Sequence, residues 1–275
     1  MAAGFPLAGR RVLVTGGASG IGRRLVLGAA RRGADVAVWD LDGEAAERAA
    51  ADVRGHGTVA HAWQVDVTDR AAVHAAAAEV TAAMGGVDVL VNDAGVVSGR
   101  PFLELTEAQV RRTFEVNTLA PYWVTGAFLP GMLERDMGRL VTVASAAGLV
   151  GVPRQADYAA SKHAAVGFDE SLRFELRRAG SAVTTLVVCP FYVDTGMFAG
   201  ARTRVPWLLP ILREADVAGR ILDAVESGRG RLALPAVVAV VPALRLLPTR
   251  AFDALMDLLG VTGSMDEFTG RRARR

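Results

Sequence analysis

Short apolar runs of strand length alternate along this chain with stretches whose apolar residues recur at helical spacing. Residues 11–15 (RVLVT), 35–39 (DVAVW), 59–65, 87–91, 140–144 and 183–188 read as strands, most of them continuously apolar. A strand with one wet face would alternate apolar and polar residues, so continuous runs point to a parallel sheet covered on both sides. Helical patterns fill the intervals at about 21–32, 43–54, 69–84, 106–135, 158–178 and 214–226, with Thr68 as the candidate N-cap of the third. No repeat, linker or low-complexity stretch divides the sequence. The pattern predicts a single-domain α/β fold over residues 1–275, a doubly wound parallel sheet with helices on both faces.

Residues 232–248 (LALPAVVAVVPALRLLP) depart from this rhythm. The segment is apolar but short for a membrane helix, and Pro235, Pro242, Pro248 and Arg245 interrupt it. It reads as a last buried strand followed by a lid or subunit-contact helix; a segment resting on a membrane surface is the alternative. Residues 249–259 then place Ala251, Leu255, Leu258 and Leu259 on one helical face. Phe191, Tyr192, Met197, Phe198 and Trp207 cluster after the last full strand, at the sheet edge where open α/β folds bind ligands. They fit plain core or a pocket lining equally well. In the second case residues 190–260 would roof a pocket for an apolar small molecule.

Composition narrows the partners. With 51% hydrophobic and 22% charged residues the chain is an ordinary globular protein. A formal net charge of +2 supplies no basic patch for nucleic acid. The basic segment 271–275 reads as a solvated tail. The single cysteine, Cys189, excludes an intramolecular disulfide and suits a reducing compartment. Residues 1–11 hold too short an apolar run for a signal peptide or a span, so a cytoplasmic location is expected. His56, His61, His74 and His163 show no metal-ligand spacing, and no metal is expected. Lys162 is the only lysine among 31 Lys and Arg residues.

Directly after the first strand stands Thr15-Gly16-Gly17-Ala18-Ser19-Gly20-Ile21-Gly22, opening a helix. Gly16, Gly20 and Gly22 let the backbone turn tightly and approach a pyrophosphate, which the helix N-terminus would bind through its free N–H groups. Asp40 ends the second strand about twenty residues on. A carboxylate there accepts hydrogen bonds from ribose hydroxyls and repels a 2′-phosphate, and no Arg occupies positions 17 to 19. NAD is therefore expected over NADP, with a turn-capping aspartate as the bland alternative for Asp40. The context makes the predicted sheet Rossmann-type.

The glycine pattern, Asp66-Val67, Asn92-Asp93-Ala94-Gly95, Asn117 and the set Ser145, Tyr158 and Lys162 together resemble the short-chain dehydrogenase/reductase family, in the right order over nearly the whole chain. The strings TVASAAG (142–148), YAASKHAAVGFDESL (158–172) and CPFYVDTGMF (189–198) look like its branch of retinol dehydrogenases and 17-beta-hydroxysteroid dehydrogenases. Two positions depart from the family pattern: Asp93 replaces an amide that could donate hydrogen bonds, and Phe191 replaces a glycine after Pro190. The resemblance implies cofactor contacts from Gly16, Ser19, Gly20, Ile21, Gly22, Asp40, Asp66, Val67, Asn92, Ala94, Gly95, Tyr158, Lys162, Pro190, Val193 and Thr195. It further implies that Lys162 bonds the nicotinamide ribose, that Asn117 links Lys162 to solvent through a water, and that the protein forms a homodimer or homotetramer.

The residues themselves support the same chemistry. Hydride transfer at a carbonyl carbon needs a proton to move at the oxygen, supplied by a positioned acid/base. Tyr158 and Lys162 lie four apart on a predicted helix, one face, where the ammonium would lower the phenol's pKa. In a chain that otherwise uses Arg, a lone lysine marks a site that needs a compact ammonium. Ser145, at a strand end, could bond the substrate oxygen. The expected activity is hydride transfer between NAD(H) and an apolar alcohol or carbonyl compound of steroid, retinoid or long-chain type. A carbonyl reductase acting on an acyl chain and a non-catalytic dinucleotide sensor are the rivals.

Overall fold

The structure, a computed structural model, describes residues 4–54 and 57–270; His56 and the tail 271–275 lie outside them. Among the described residues seven strands form, β1 (Arg11–Thr15), β2 (Asp35–Asp40), β3 (Ala60–Gln64), β4 (Val89–Asn92), β5 (Arg139–Val143), β6 (Thr184–Pro190) and β7 (Arg231–Leu234). Every adjacent pair is parallel, in the order β3-β2-β1-β4-β5-β6-β7. The order reverses between β1 and β4, which opens a crevice at their carboxyl ends. Register brings the ends level, since Thr15 lies opposite both Trp39 and Asn92.

The helices are α1 (Gly20–Arg31), α2 (Gly43–Arg54), α3 (Arg70–Met84), α4 (Glu107–Phe114), α5 (Ala120–Glu134), α6 (Ala156–Arg178), α7 (Glu214–Glu226), α8 (Val241–Leu244) and α9 (Thr249–Leu258). Successive strand residues face opposite layers, which is why the runs are apolar throughout. Val12, Val14, Val36 and Val38 pack with Leu25, Val26, Ala46 and Ile221 of α1, α2 and α7. Leu13, Ala37, Trp39 and Leu90 pack with Val73, Val80, Phe128 and Leu176 of α3, α5 and α6. The doubly wound α/β sheet is thus present, covered on both faces.

Three local expectations need correction. Asp69, not Thr68, caps α3, accepting from the amides of Ala71 and Ala72, while Thr68 donates to Asp66. The helix expected over 106–135 is interrupted: Thr106 and Gln109 form a capping box on α4, and a π-helical turn at Glu115–Leu119 leads into α5. Such turns re-aim side chains, and this one carries Asn117. Of the face expected after residue 249, Leu255 and Leu259 pack inward, joined by Phe252 and Met256, while Ala251 and Leu258 are exposed. Two helical stripes were available there, and the one with the larger apolar side chains is buried.

Past β7 the chain forms a 3₁₀ turn, Ala236–Val240, before α8 and α9. Among the described residues no helix is long and apolar enough to cross a membrane. Instead Val238, Met256 and Val261 join Ala144, Leu149, Cys189 and Leu209 in a third apolar cluster beyond the carboxyl edge of the sheet. Trp207 is no part of it, at 81% exposed.

Candidate active site

A cleft of about 330 Å³ lies over the carboxyl ends of the central strands. Gly16, Ser19, Gly20 and Ile21 from the glycine-rich turn line it, with Asp40 at the end of β2, Asp66 and Val67 after β3, and Ala94 and Gly95 after β4. Ser145, Tyr158 and Lys162 close the far end, with Pro190 at the end of β6 and Val193 and Thr195 beyond it. Gly16 adopts φ +69°, and a Cβ there would meet the Cα of Ala94 at 3.0 Å. Gly22 lies outside the cleft wall: a Cβ on it would sit 2.2 Å from the Gly16 carbonyl oxygen, so this glycine lets the helix close onto its own turn.

These features fit a dinucleotide. The turn forms a cradle too tight for Cβ atoms, and the N-terminus of the twelve-residue α1 opens from it without a side-chain cap bond from Ser19. Asp40 accepts the Ala18 amide at 3.0 Å and the Asp42 amide at 3.1 Å, which fixes its carboxylate at the cleft while also capping a turn. Burial alone would raise the Asp66 carboxyl, but hydrogen bonds from Thr68 and the cation of Arg112 hold it below its ordinary range. Asn92 does not line the cleft; its amide donates to Thr125 at 3.1 Å inside the fold. Arg112 and Val116 also line it, unforeseen because α4 and the following turn carry no local signal of what they face, as does Val96 in the loop after β4.

Tyr158 and Lys162 occupy successive turns of α6, both buried. The Lys162 Nζ lies 5.7 Å from the centre of the Tyr158 ring and donates to the Val143 carbonyl at 2.8 Å. Burial lowers the lysine to about 8, against the opposing pull of Asp93. The expectation that Lys162 would depress the phenol is not met. Burial pushes Tyr158 above its ordinary value, a hydrogen bond with Ser145 opposes this, and the neighbouring Tyr192 and Asp93 add to it. The lysine is spent on the Val143 carbonyl, so desolvation wins. At neutral pH Tyr158 is a protonated phenol, ready to donate.

Ser145 follows β5 and caps the 3₁₀ turn Ala146–Gly148, its Oγ accepting the Ala147 amide at 3.1 Å. Asn117 does not line the cleft. Its Oδ1 accepts the Val96 amide and its Nδ2 donates to the Val96 carbonyl, each at 2.9 Å, and also to Ser161 Oγ at 3.0 Å. These bonds clamp the β4 loop against α6, directly behind Lys162.

A second, apolar cavity of about 80 Å³ abuts the cleft. Ser145, Phe191 and Phe198 border both spaces. Its walls come from Leu208, Leu209, Val238, Val241, Met256 and Leu259. Of the aromatic cluster, Phe191, Tyr192 and Phe198 face the cavity, Met197 faces the cleft, and Trp207 faces neither. The polar exceptions are Ser145, Gln155 and Tyr192; Gln155 donates to the Tyr192 hydroxyl at 3.2 Å, which lies 2.8 Å from Ser264 Oγ. Phe191 packs against Tyr192 with the rings tilted and their centres 4.6 Å apart, and it needs no left-handed backbone, so a side chain is tolerated where the family pattern has glycine.

Comparison with known proteins gives the same direction. The sequence model of the family described as short chain dehydrogenase matches residues 10–205. Epidermal retinol dehydrogenase 2 of Mus musculus is 38% identical over 271 residues, covering 98% of this chain and 88% of that protein. The human 17-beta-hydroxysteroid dehydrogenase 13 is 36% identical over 247 residues, covering 89% and 81%. Among solved structures, a short chain dehydrogenase/reductase from Burkholderia phymatum in complex with NAD superposes with a TM-score of 0.80 at 30% identity, covering 88% of this chain and 94% of that one. The chain belongs to the short-chain dehydrogenase family.

Proposed function

We propose that the protein is an NAD(H)-dependent oxidoreductase that interconverts an apolar alcohol and its carbonyl compound, of steroid, retinoid or long-chain type. One observation carries this reading: Ser145 sits at the junction of a polar cleft suited to a dinucleotide and a cavity lined by aliphatic side chains, with Tyr158 and Lys162 beside it. NAD(H), when bound, supplies or accepts the hydride. The Ser145 and Tyr158 hydroxyls hold the substrate oxygen, and Tyr158 gives it a proton during reduction. Lys162 places a positive charge beneath the cleft, and Asn117 fixes the backbone behind it, with a water relay to solvent as its further role. The cofactor contacts are those expected from the sequence, except that Asn92 and Gly22 act by supporting the cleft.

Residues 190–260 serve as the pocket's lid. Exposed Leu246 and Leu247 favour a membrane-surface contact as the second reading of residues 232–248. A homodimer or homotetramer is supported by apolar side chains at the surface of α5, α6 and the π turn, namely Tyr122, Leu119, Leu133 and Phe174. The buried thiol of Cys189 accords with a cytoplasmic protein.

A substrate series followed by NADH appearance tests the function. Each buried methylene contributes about 0.8 kcal/mol, so kcat/KM is expected to rise by about tenfold or more from short alcohols to decanol-, retinoid- or steroid-sized ones. A series in which small polar alcohols outperform bulky apolar ones would refute the substrate class, and no turnover with any of them would favour a sensor. The narrow cavity must spread to admit a ring system, which flexible Leu and Met walls permit.

Asp40 sets the cofactor. Arg23 and Arg24 near it are held by Asp52 and Glu214, leaving the carboxylate to act on a 2′-phosphate. Asp40→Ser should weaken NAD and improve NADP, narrowing the ratio of their kcat/KM values. A wild type that already prefers NADP would contradict this assignment.

A further inference from the structure

Asp93 stands at the floor of the cleft, half-buried between the glycine-rich turn and Lys162. Its amide donates to Thr15 Oγ1 at 3.1 Å, and its carboxyl accepts the amide of Gly22, in the first turn of α1. The fit is close: a Cβ on Gly22 would come within 2.8 Å of Oδ2. The ionisable groups that face it are Lys162 and Tyr158 from α6 and Asp40 from the end of β2. Nearby arginines are engaged elsewhere, Arg23 by Asp52, Arg24 by Glu214 and Arg112 by Asp66. Burial pushes the Asp93 carboxyl up to about 7, with Asp40 adding to the rise, while Lys162 and the Gly22 amide oppose it.

The N-terminus of α1 is also where a pyrophosphate brings its negative charge. An ionised Asp93 puts a like charge on the same helix end, repelling the cofactor. A neutral carboxyl still accepts the Gly22 amide through one oxygen and gains an O–H donor, as a side-chain amide would have. We propose that Asp93 is a determinant of cofactor affinity that works in its protonated form, so that dinucleotide binding takes up a proton and weakens as pH rises. This rests on the NAD(H) reading above.

The test is NADH titration by fluorescence from pH 6 to 8.5, on wild type, Asp93→Asn and Lys162→Met. Linkage to one proton predicts a wild-type Kd that rises by about tenfold across that range. Asp93→Asn should lose the part of the rise that comes from the carboxyl, since the amide does not titrate, and keep only the smaller part from Lys162, which gives up its proton more readily without the Asp93 charge. Lys162→Met should keep the dependence with its midpoint moved to higher pH, because the charge that favours the carboxylate is gone. Parallel curves for wild type and Asp93→Asn, or a flat curve for Lys162→Met, would overturn the proposal and assign the titration elsewhere. If Asp93→Asn does not fold, the Lys162→Met curve decides. Failure of folded wild type to bind NADH at any pH would overturn the cofactor reading and this inference with it.

Discussion

Replacing Tyr158 with phenylalanine is expected to lower kcat by at least about 10²-fold while NADH binding stays within about twofold of wild type. The substitution deletes one oxygen from a buried ring and leaves the packing intact. The ring meets Phe198 edge-on at 5.6 Å, a contact phenylalanine preserves. Ser145 keeps its bond from the Ala147 amide, so it stays oriented at the junction of cleft and cavity. What disappears is the phenol O–H, the group proposed to give the substrate oxygen its proton. The raised pKa of Tyr158 makes the variant informative about direction as well, since the wild-type phenol is a ready donor to a carbonyl and needs base to act on an alcohol. Oxidation by the wild type should therefore quicken as pH rises more than reduction does. Steady-state kinetics in both directions measure the effect, with melting temperature confirming the fold. Turnover within about threefold of wild type would move the proton transfer to another group.

The sheet was legible because most of its strands are buried on both faces and announce themselves as apolar runs; the edge strand β3, AHAWQ, is the exception. The site was legible because its residues sit where those runs stop. Gly16, Asp40, Asp66 and Ser145 all lie at strand ends, which parallel register brings to one edge. The interruption of the helix at Asn117 was not legible, since one extra residue in a turn leaves the apolar periodicity almost unchanged. The buried stripe of α9 was legible only at Leu255 and Leu259, because two overlapping apolar stripes coexist and tertiary packing chooses between them. Trp207 and Phe198 look alike in sequence, yet one is solvent-exposed and the other borders both cavities.

Electrostatics were the least legible part. The four-residue spacing of Tyr158 and Lys162 holds, but their interaction depends on a carbonyl from β5 that spacing cannot reveal. Asp93 read as a mere departure from a pattern. Its proton depends on Gly22, Asp40 and Lys162, which come from three separate segments and meet only in the folded chain.

Exchange of Lys162 for arginine should lower kcat/KM by about 10²-fold or more, a loss of roughly 2.7 kcal/mol of transition-state stabilisation. Charge is conserved in this variant, so the effect isolates shape. Lys162 is buried, and its Nζ donates to the Val143 carbonyl at 2.8 Å. A planar guanidinium with five N–H donors cannot meet one carbonyl and a ribose as a compact ammonium does. Its pKa also stays far above neutrality, whereas burial brings Lys162 to about 8. Any alkaline limb in the pH profile that comes from this lysine should vanish in the variant. The comparison to make is kcat/KM with NAD at pH 7 and pH 9, beside the NADH affinity. The expected result is weakened NADH binding together with slow turnover, because the cation serves both the cofactor pocket and the proton donor. An arginine variant with wild-type kcat/KM would show that the lone lysine of this chain is an accident of composition, and that a positive charge of any shape suffices beneath the cleft.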